Sequence, residues 1–285
     1  MRIALTGSLG FIGRHLFREL VKSKYTYVIG IDLKDGNDIR KLEPRNFKGI
    51  DYVFHMAAQA KVQQSIDKPV FTNSHNIEGT LNVLDCARKA GVKRVIYSAS
   101  SSAYGEQDSL PLREDMIPNP MSPYAIQKLV GEMYCKQFYE LYGLETVSLR
   151  YFNVYGPEMP VDSAYSACIA RFLDFYKNDK HLPVYGGKQT RDFTYVGDVV
   201  QANLKAMISD NVGKGEVINI GSGENYSIDA IAKAVSNDIK HLPQMKGEPM
   251  NTKADNKKAK ELLDWEPTMN VIKWLTQFKK GSKES

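Results

Sequence analysis

Cysteine is scarce, three residues in 285, and Cys86, Cys135 and Cys168 lie far apart without metal-ligand or disulfide-framework spacing. Three scattered thiols suit a reducing cytoplasm and give no metal site. No apolar run approaches the roughly 20 residues of a membrane-crossing helix. The first residues already read as a strand, so no cleaved leader is expected. Low-complexity tracts and internal repeats are absent. A dominant charge sign is lacking too: 38 basic and 33 acidic residues leave a net +5. Lysines cluster only at Lys253, Lys257, Lys258 and Lys260 and at Lys279, Lys280 and Lys283. Without an aromatic-basic module these read as a solvated helix face and a tail, not a nucleic-acid footprint. The charge is compatible with an anionic small substrate. A chain 42% hydrophobic and 25% charged can bury one large or two modest cores, as a soluble enzyme does.

At the N-terminus, Arg2-Ile-Ala-Leu-Thr6 is a short apolar strand, followed by Gly7-Ser-Leu-Gly10-Phe-Ile-Gly13 and a helical pattern. Gly7 permits a tight turn, Gly10 lets a pyrophosphate approach the backbone, and Gly13 lets helix and strand pack closely. The helix start offers N–H groups to the anion. Phe11, Ile12, Leu16 and Leu20 recur at helical spacing, and the next strand, Tyr27–Ile31, ends in Asp32. An acid there accepts both ribose hydroxyls and repels a 2′-phosphate, which selects NAD over NADP. The glycine spacing is G-x-x-G-x-x-G rather than the commoner G-x-G-x-x-G.

Apolar strands then alternate with amphipathic helices, the pattern of a parallel sheet covered on both faces. Strands are expected at 51–55, 93–98 and 145–149, with helices at 73–90 and 122–141. Only eighteen residues, 33 to 50, separate Asp32 from the strand at Asp51, too few for a comfortable helix and strand. Within them Asp38-Ile39 either reaches the adenine or forms a simple turn. Beyond Tyr151 the pattern loosens, and Gly, Pro and short elements dominate residues 153–190, where a substrate-binding region would sit.

Tyr124-Ala-Ile-Gln-Lys128, downstream of Ser100, Ser101 and Ser102, reads as a catalytic set. A tyrosine that takes a proton near neutral pH needs its pKa of about 10 lowered by some three units, roughly 4 kcal/mol of preferential phenolate stabilisation. Lys128, four residues along a helix, lies on the same face and supplies part of it.

Together these residues resemble the extended short-chain dehydrogenase/reductases, and within them the nucleotide-sugar 4-epimerases. The resemblance is carried by the glycine loop, His55–Gln59, Asn76–Thr80, Ser100–Gly105, Tyr124–Lys128, Arg150–Pro157 and Arg191–Asp198. It implies an α/β fold, a Rossmann-type doubly wound parallel sheet with a smaller, discontinuous C-terminal substrate-binding domain. Residues 1–160, with 191–220 returning, would bind NAD; 161–190 and 221–285 would bind the nucleotide sugar. By register with Tyr104-Gly105 the catalytic serine is Ser100. Related dehydratases carry an aspartate and a glutamate at the next two positions, and decarboxylases keep the glutamate; this chain has Ser101 and Ser102. Without a carboxyl group no evident acid expels a C6 hydroxyl. The implied reaction is oxidation at C4 by Tyr124, Ser100 and Lys128, turnover of the 4-keto sugar, and reduction on its other face.

The cofactor contacts so implied are Gly7, Gly10, Phe11, Ile12, Gly13, Asp32, Asp38, Ile39, Ala57, Asn76, Ser98, Tyr124, Lys128 and Tyr151. Those to substrate are Ser100, Ser101, Ser102, Asn153, Arg191 and Thr252. Arg191 suits a bidentate phosphate clamp, His55 a strand end beneath the cofactor, and Asn76 either backbone ordering or a helix start. Met245-Lys-Gly-Glu248 departs from the family's Arg-x-Gly-Asp clamp, which leaves the nucleotide base open. A small Thr252 either admits an N-acetyl group beside C2 or packs in a loop. A homodimer through the helices at 76–90 and 124–141 is implied. A nucleotide-sugar reductase or dehydratase and a non-catalytic NAD sensor are the alternatives.

Overall fold

The computed structural model describes residues 1–22, 27–161, 167–243 and 249–281. In chain order its first half comprises β1 (Arg2–Thr6), α1 (Phe11–Val21), β2 (Tyr27–Ile31), β3 (Tyr52–His55), α2 (Val62–Asp67), α3 (Pro69–Asn73), α4 (Gly79–Ala90), β4 (Arg94–Ser100), α5 (Pro123–Tyr142) and β5 (Glu145–Tyr151). Then follow β6 (Val154–Tyr155), α6 (Ala167–Lys177), β7 (Leu182–Tyr185), β8 (Thr190–Arg191), β9 (Thr194–Tyr195), α7 (Val196–Ile208), β10 (Lys214–Ile220), β11 (Tyr226–Ser227), α8 (Ile228–Val235), β12 (Ile239–Leu242), α9 (Lys257–Leu263) and α10 (Val271–Gly281).

Six strands form one sheet in the order β10-β5-β4-β3-β1-β2, every neighbouring pair parallel. Side chains alternate across such a sheet. Ile3 and Leu5 enter a core with Leu16, Leu149, Val199 and Ile218, while Ala4 enters another with Val53, Val83, Val95 and Phe138. Both faces are thus covered, which is why these strands read as continuous apolar runs. A third core joins Phe172, Leu182, Phe193, Ile231 and Trp274.

Residues 33–50 hold no helix of the doubly wound kind but three short 3₁₀ turns, at Leu33–Asp35, Ile39–Lys41 and Pro44–Phe47. Asn82 ties them to α4, its Nδ2 donating to the carbonyls of Ile39 (2.8 Å) and Leu42 (3.0 Å).

Two boundaries differ from expectation in ways that matter for the site. Strands β4 and β5 run on to Ser100 and Tyr151, paired Ala99 with Arg150 and Ser100 with Tyr151. Small and polar residues there hid the continuation. The helix expected from 73 starts instead at Pro69, whose fixed φ suits a first helical turn, and passes through a π turn at Ser74–Glu78. The polar run Thr72–Asn76 breaks the apolar period. Asn76 therefore lies inside the helical stretch and not at its start. Among the described residues no helix is long and apolar enough to cross a membrane.

Candidate active site

Two cavities open at the C-terminal edge of the parallel strands, where such sheets bind ligands. The first is lined by Gly7, Gly10, Ile31, Asp32, Leu33, Lys34, Asn37, Asp38, Ile39, Met56, Ala57, Ala58, Gln59 and His75. A Cβ on Gly13 would lie 2.1 Å from the Gly7 carbonyl oxygen, and one on Gly7, whose φ is +72°, would lie 2.7 Å from the Ala57 amide. No side chain caps α1, whose N-cap is Gly10, so its first-turn N–H groups face the anion site without a side-chain acceptor. Asp32 accepts from the amides of Leu9 (2.9 Å) and Lys34 (3.0 Å), one on each oxygen, which leaves a lone pair on each for ribose hydroxyls. The cradle and the acid fit a dinucleotide. Phe11 and Ile12 contribute the first turn of α1, while their side chains are buried in the core beneath.

Asp38 lines this cavity beside Ile39, but Arg40 grips its carboxylate through Nε (2.9 Å) and Nη2. That pairing, with the Arg40 amide, holds its pKa down at about 2. Of the two readings of Asp38 the geometry displays the turn, both oxygens being engaged by Arg40, while Asp38 still lines the cavity.

The second cavity gathers Ser100, Ser101, Ser102, Tyr124, Tyr151, Asn153, Arg191 and Thr252, from five separate segments, with Ala60, Val62, Gly105, Met121, Ser122, Ala125 and Pro249 around them. Ser100 ends β4 and caps the 3₁₀ turn Ser101–Tyr104. Its Oγ accepts from the Ser102 amide (3.2 Å) and hydroxyl (2.9 Å), so its own proton points elsewhere. Gly105, at φ +59°, closes the turn; a Cβ there would overlap the Asn119 carbonyl oxygen at 1.6 Å. Ser122 caps α5, Pro123 follows, and Tyr124 donates its amide to the buried Ser65 Oγ at 3.0 Å.

Lys128 lies one turn along α5, 2% exposed, outside both cavity linings. Its ammonium donates to the Ser98 carbonyl at 2.6 Å and sits 4.9 Å from the centre of the Tyr97 ring. Ser98 thus serves through its carbonyl. Burial pushes the Lys128 pKa down to about 7, against the Glu132 carboxylate, which favours the cation. Glu132 is itself held by Arg150 through two bonds of 2.9 and 2.7 Å. His55 is fully enclosed between the hydroxyls of Thr6 (2.8 Å) and Thr80 (2.9 Å), and burial drives its pKa to about 3. It is a neutral strut at a strand end.

Asn153 and Arg191 both reach the second cavity and both have structural duties. Asn153 Nδ2 donates to the Asp192 carbonyl (2.8 Å), and Arg191 Nη1 donates to that of Thr190 (3.0 Å). Thr252 lines the same wall and accepts from the Asp192 amide at 3.2 Å. The Tyr151 hydroxyl donates to Asn203 Oδ1 at 2.9 Å. Asn76 lines neither cavity; its carboxamide holds the backbone of Gln59. Met245 falls outside the described residues.

Sequence reasoning missed Ser65, Asp192 and the apolar Ala60, Val62, Met121 and Pro249. Asp192 ties together the loops behind Arg191: its carboxylate accepts from the Ser222 hydroxyl and the amides of Ser222, Gly223 and Ala254, while burial raises its pKa to about 6. Its place beside Arg191 was the available signal.

A dinucleotide cradle joined through β3 and β4 to a Ser/Tyr/Lys set defines a Rossmann-type oxidoreductive site. Residues 3–221 match the NAD dependent epimerase/dehydratase family, and the chain belongs to that family. It is therefore an enzyme of an NAD-using class. It is 36% identical, over 96% of its length and 98% of the relative's, to a putative UDP-glucose 4-epimerase of Methanocaldococcus jannaschii. It is also 36% identical, over 97% and 98%, to a UDP-N-acetyl-alpha-D-glucosaminuronate decarboxylase of Bacillus cytotoxicus. The Thermotoga maritima UDP-glucose 4-epimerase, solved with UDP-glucose, superposes with a TM-score of 0.91 at 34% identity, covering 100% of this chain and 99% of that one.

Proposed function

We propose that the chain inverts C4 of a UDP-activated hexose, UDP-glucose or UDP-N-acetylglucosamine. The observation that carries this reading is the composition of the second cavity: Ser100 and Tyr124 face one space whose neighbouring positions 101 and 102 bring hydroxyls and no carboxylate. A decarboxylase or dehydratase reading, favoured by one relative, lacks its acid there.

NAD would lie along Gly7, Gly10 and Asp32 and, when bound, supplies an acceptor that takes a hydride from C4 and later returns it. The protein supplies proton handling and orientation. Tyr124 takes the O4 proton and, once the 4-keto sugar has turned so that its other face meets the returning hydride, gives the proton back to O4, while the Ser100 hydroxyl proton holds O4. Lys128 in its protonated form, which Glu132 favours against the effect of burial, stabilises the phenolate of Tyr124. Arg191 and Asn153 orient the diphosphate, and Thr252 leaves room for an N-acetyl group beside C2. Redox neutrality means that NAD stays bound and none need be added.

The same reading assigns residues 1–160 and 191–220 to the cofactor and 161–190 and 221–285 to the nucleotide, in a cytoplasmic homodimer. Its test is incubation with UDP-glucose and UDP-N-acetylglucosamine, with Thr252→Tyr as the specificity variant. Thr252→Tyr is expected to lose turnover of the N-acetylated sugar selectively; equal loss on both sugars would refute the role of Thr252.

A further inference from the structure

Residues 57–62 cross from one cavity to the other. Ala57, Ala58 and Gln59 line the cofactor side, Ala60 and Val62 the sugar side. Up to Lys61 the segment lies between β3 and α2 without a strand partner of its own, and Val62 opens α2, so side chains must hold it. Asn76 does this at Gln59, accepting from its amide on Oδ1 (2.7 Å) and donating to its carbonyl from Nδ2 (2.9 Å). The π turn at Ser74–Glu78 contains Asn76, and such turns often mark functional positions.

The other proton of Asn76 Nδ2 goes to Gln127 Oε1 at 2.7 Å. Gln127 Nε2 in turn donates to Thr72 Oγ1 at 3.0 Å, whose hydroxyl proton goes to the Pro69 carbonyl at 3.1 Å. Asn76, Gln127 and Thr72 are 1%, 2% and 0% exposed. Gln127 stands in α5 between Tyr124 and Lys128, so a buried carboxamide in the catalytic helix is linked by one intermediary to the backbone that separates the two cavities. A satisfied polar network in a dry interior specifies a single arrangement more sharply than apolar packing of the same volume.

We propose that Gln127 is a positioning residue that sets the 57–62 segment against the helix carrying Tyr124 and Lys128, and so fixes how cofactor and sugar lie relative to the reacting groups. Its consequence at C4 rests on the epimerase reading; its consequence for cofactor retention does not. A displacement of about 1 Å at such a site costs on the order of a hundredfold in rate, so partial loosening is expected to cost about tenfold.

The test uses the full chain and compares Gln127→Met, which keeps volume but removes both bonds, with Thr72→Val, which cuts only the outer end of the network. Thermal midpoints, NADH release followed by fluorescence, and KM and kcat for the converted UDP-hexose are measured for each. Gln127→Met is expected to speed NADH release about fivefold and to lower kcat about tenfold with KM within about twofold. Thr72→Val is expected to lower the thermal midpoint comparably and to leave both rates within about twofold. Gln127→Glu, carrying its acid form in the dry interior, keeps an acceptor for Asn76 and a donor for Thr72 and should restore NADH release to the wild-type rate. Should the Met variant not fold, Gln127→Ser, which also loses both bonds, carries the same comparison. Wild-type NADH release in the variant lacking both bonds, or equal acceleration in Thr72→Val, would overturn the proposal. If the wild type converts no UDP-hexose, the epimerase reading fails while NADH release still decides the role of Gln127.

Discussion

On the proposed reading Tyr124 and Ser100 carry the proton chemistry, and both line the second cavity, apart from the residues of the cofactor cradle. Tyr124→Phe removes the hydroxyl alone. It is expected to lower kcat by about 10²- to 10⁴-fold, the usual span of a positioned acid-base group, while NAD still copurifies; unchanged kcat would remove Tyr124 from the mechanism. His55 makes a separate prediction. Its folded pKa is depressed from 6.5 to about 3, so between those values the unfolded chain binds a proton that the folded chain does not. Its contribution is complete above pH 6.5 and is lost as pH falls toward 3, at up to about 1.4 kcal/mol per pH unit. Urea midpoints between pH 7.5 and 4.5 should fall more steeply for the wild type than for His55→Asn; parallel curves would contradict this. At this scale the sequence was readable where a motif names its own residues, as at Tyr124, Ser100 and Asp32. It was not readable where a role depends on a distant partner. Ser65 meets the Tyr124 amide, and Gln127 the Asn76 carboxamide, across 59 and 51 positions, and nothing local announces such a pair.

The elements that place these residues tolerate little at their contacts. The α1–β1 junction closes on Gly13, where a Cβ would stand 2.1 Å from the Gly7 carbonyl oxygen. Gly13→Ala must therefore shift α1 and the loop before it. NAD is expected to be lost on purification and the thermal midpoint to drop; an alanine variant that retains stoichiometric NAD would show that the close approach is not needed. Strands β1 and β3 were legible as short continuous apolar runs buried on both faces, and α1 by its 3.6-residue apolar period. The extension of β4 and β5 to Ser100 and Tyr151 was not, since it is stated only by pairing across the sheet. The helical stretch from Pro69 was hidden by polar residues that face a buried network rather than solvent.

At the scale of the molecule, an exposed apolar face stands out among the described residues: Ile126, Met133, Leu141 and Tyr142 on α5 are 48%, 61%, 67% and 52% exposed. Leu141 and Tyr142 also border a groove between α4 and α5 lined by Leu81, Tyr134 and Phe138 together with the polar Glu78, Asn82, Asp85 and Gln137. Apolar groups of that size on adjoining helices suit a second copy related by a twofold axis. Light scattering is expected to give twice the 32.1 kDa chain mass, and Met133→Glu with Leu141→Glu to give the monomer; a monomeric wild type would end the dimer reading. The overall architecture was legible because apolar strands and helices alternate along the chain, and from β3 to β5 the strands follow one another across the sheet in chain order, while β1 and β2 are exchanged at its edge. The wall of the second cavity around Arg191 was less so, its anchor Asp192 being held by loops at 222–223 and 254. The most direct test of the central claim is NMR of the anomeric and H4 signals after the purified chain is mixed with UDP-glucose or UDP-N-acetylglucosamine, without added NAD. Epimerisation predicts that at least one sugar equilibrates with its C4 epimer; NAD-loaded protein that leaves both sugars unchanged would contradict it.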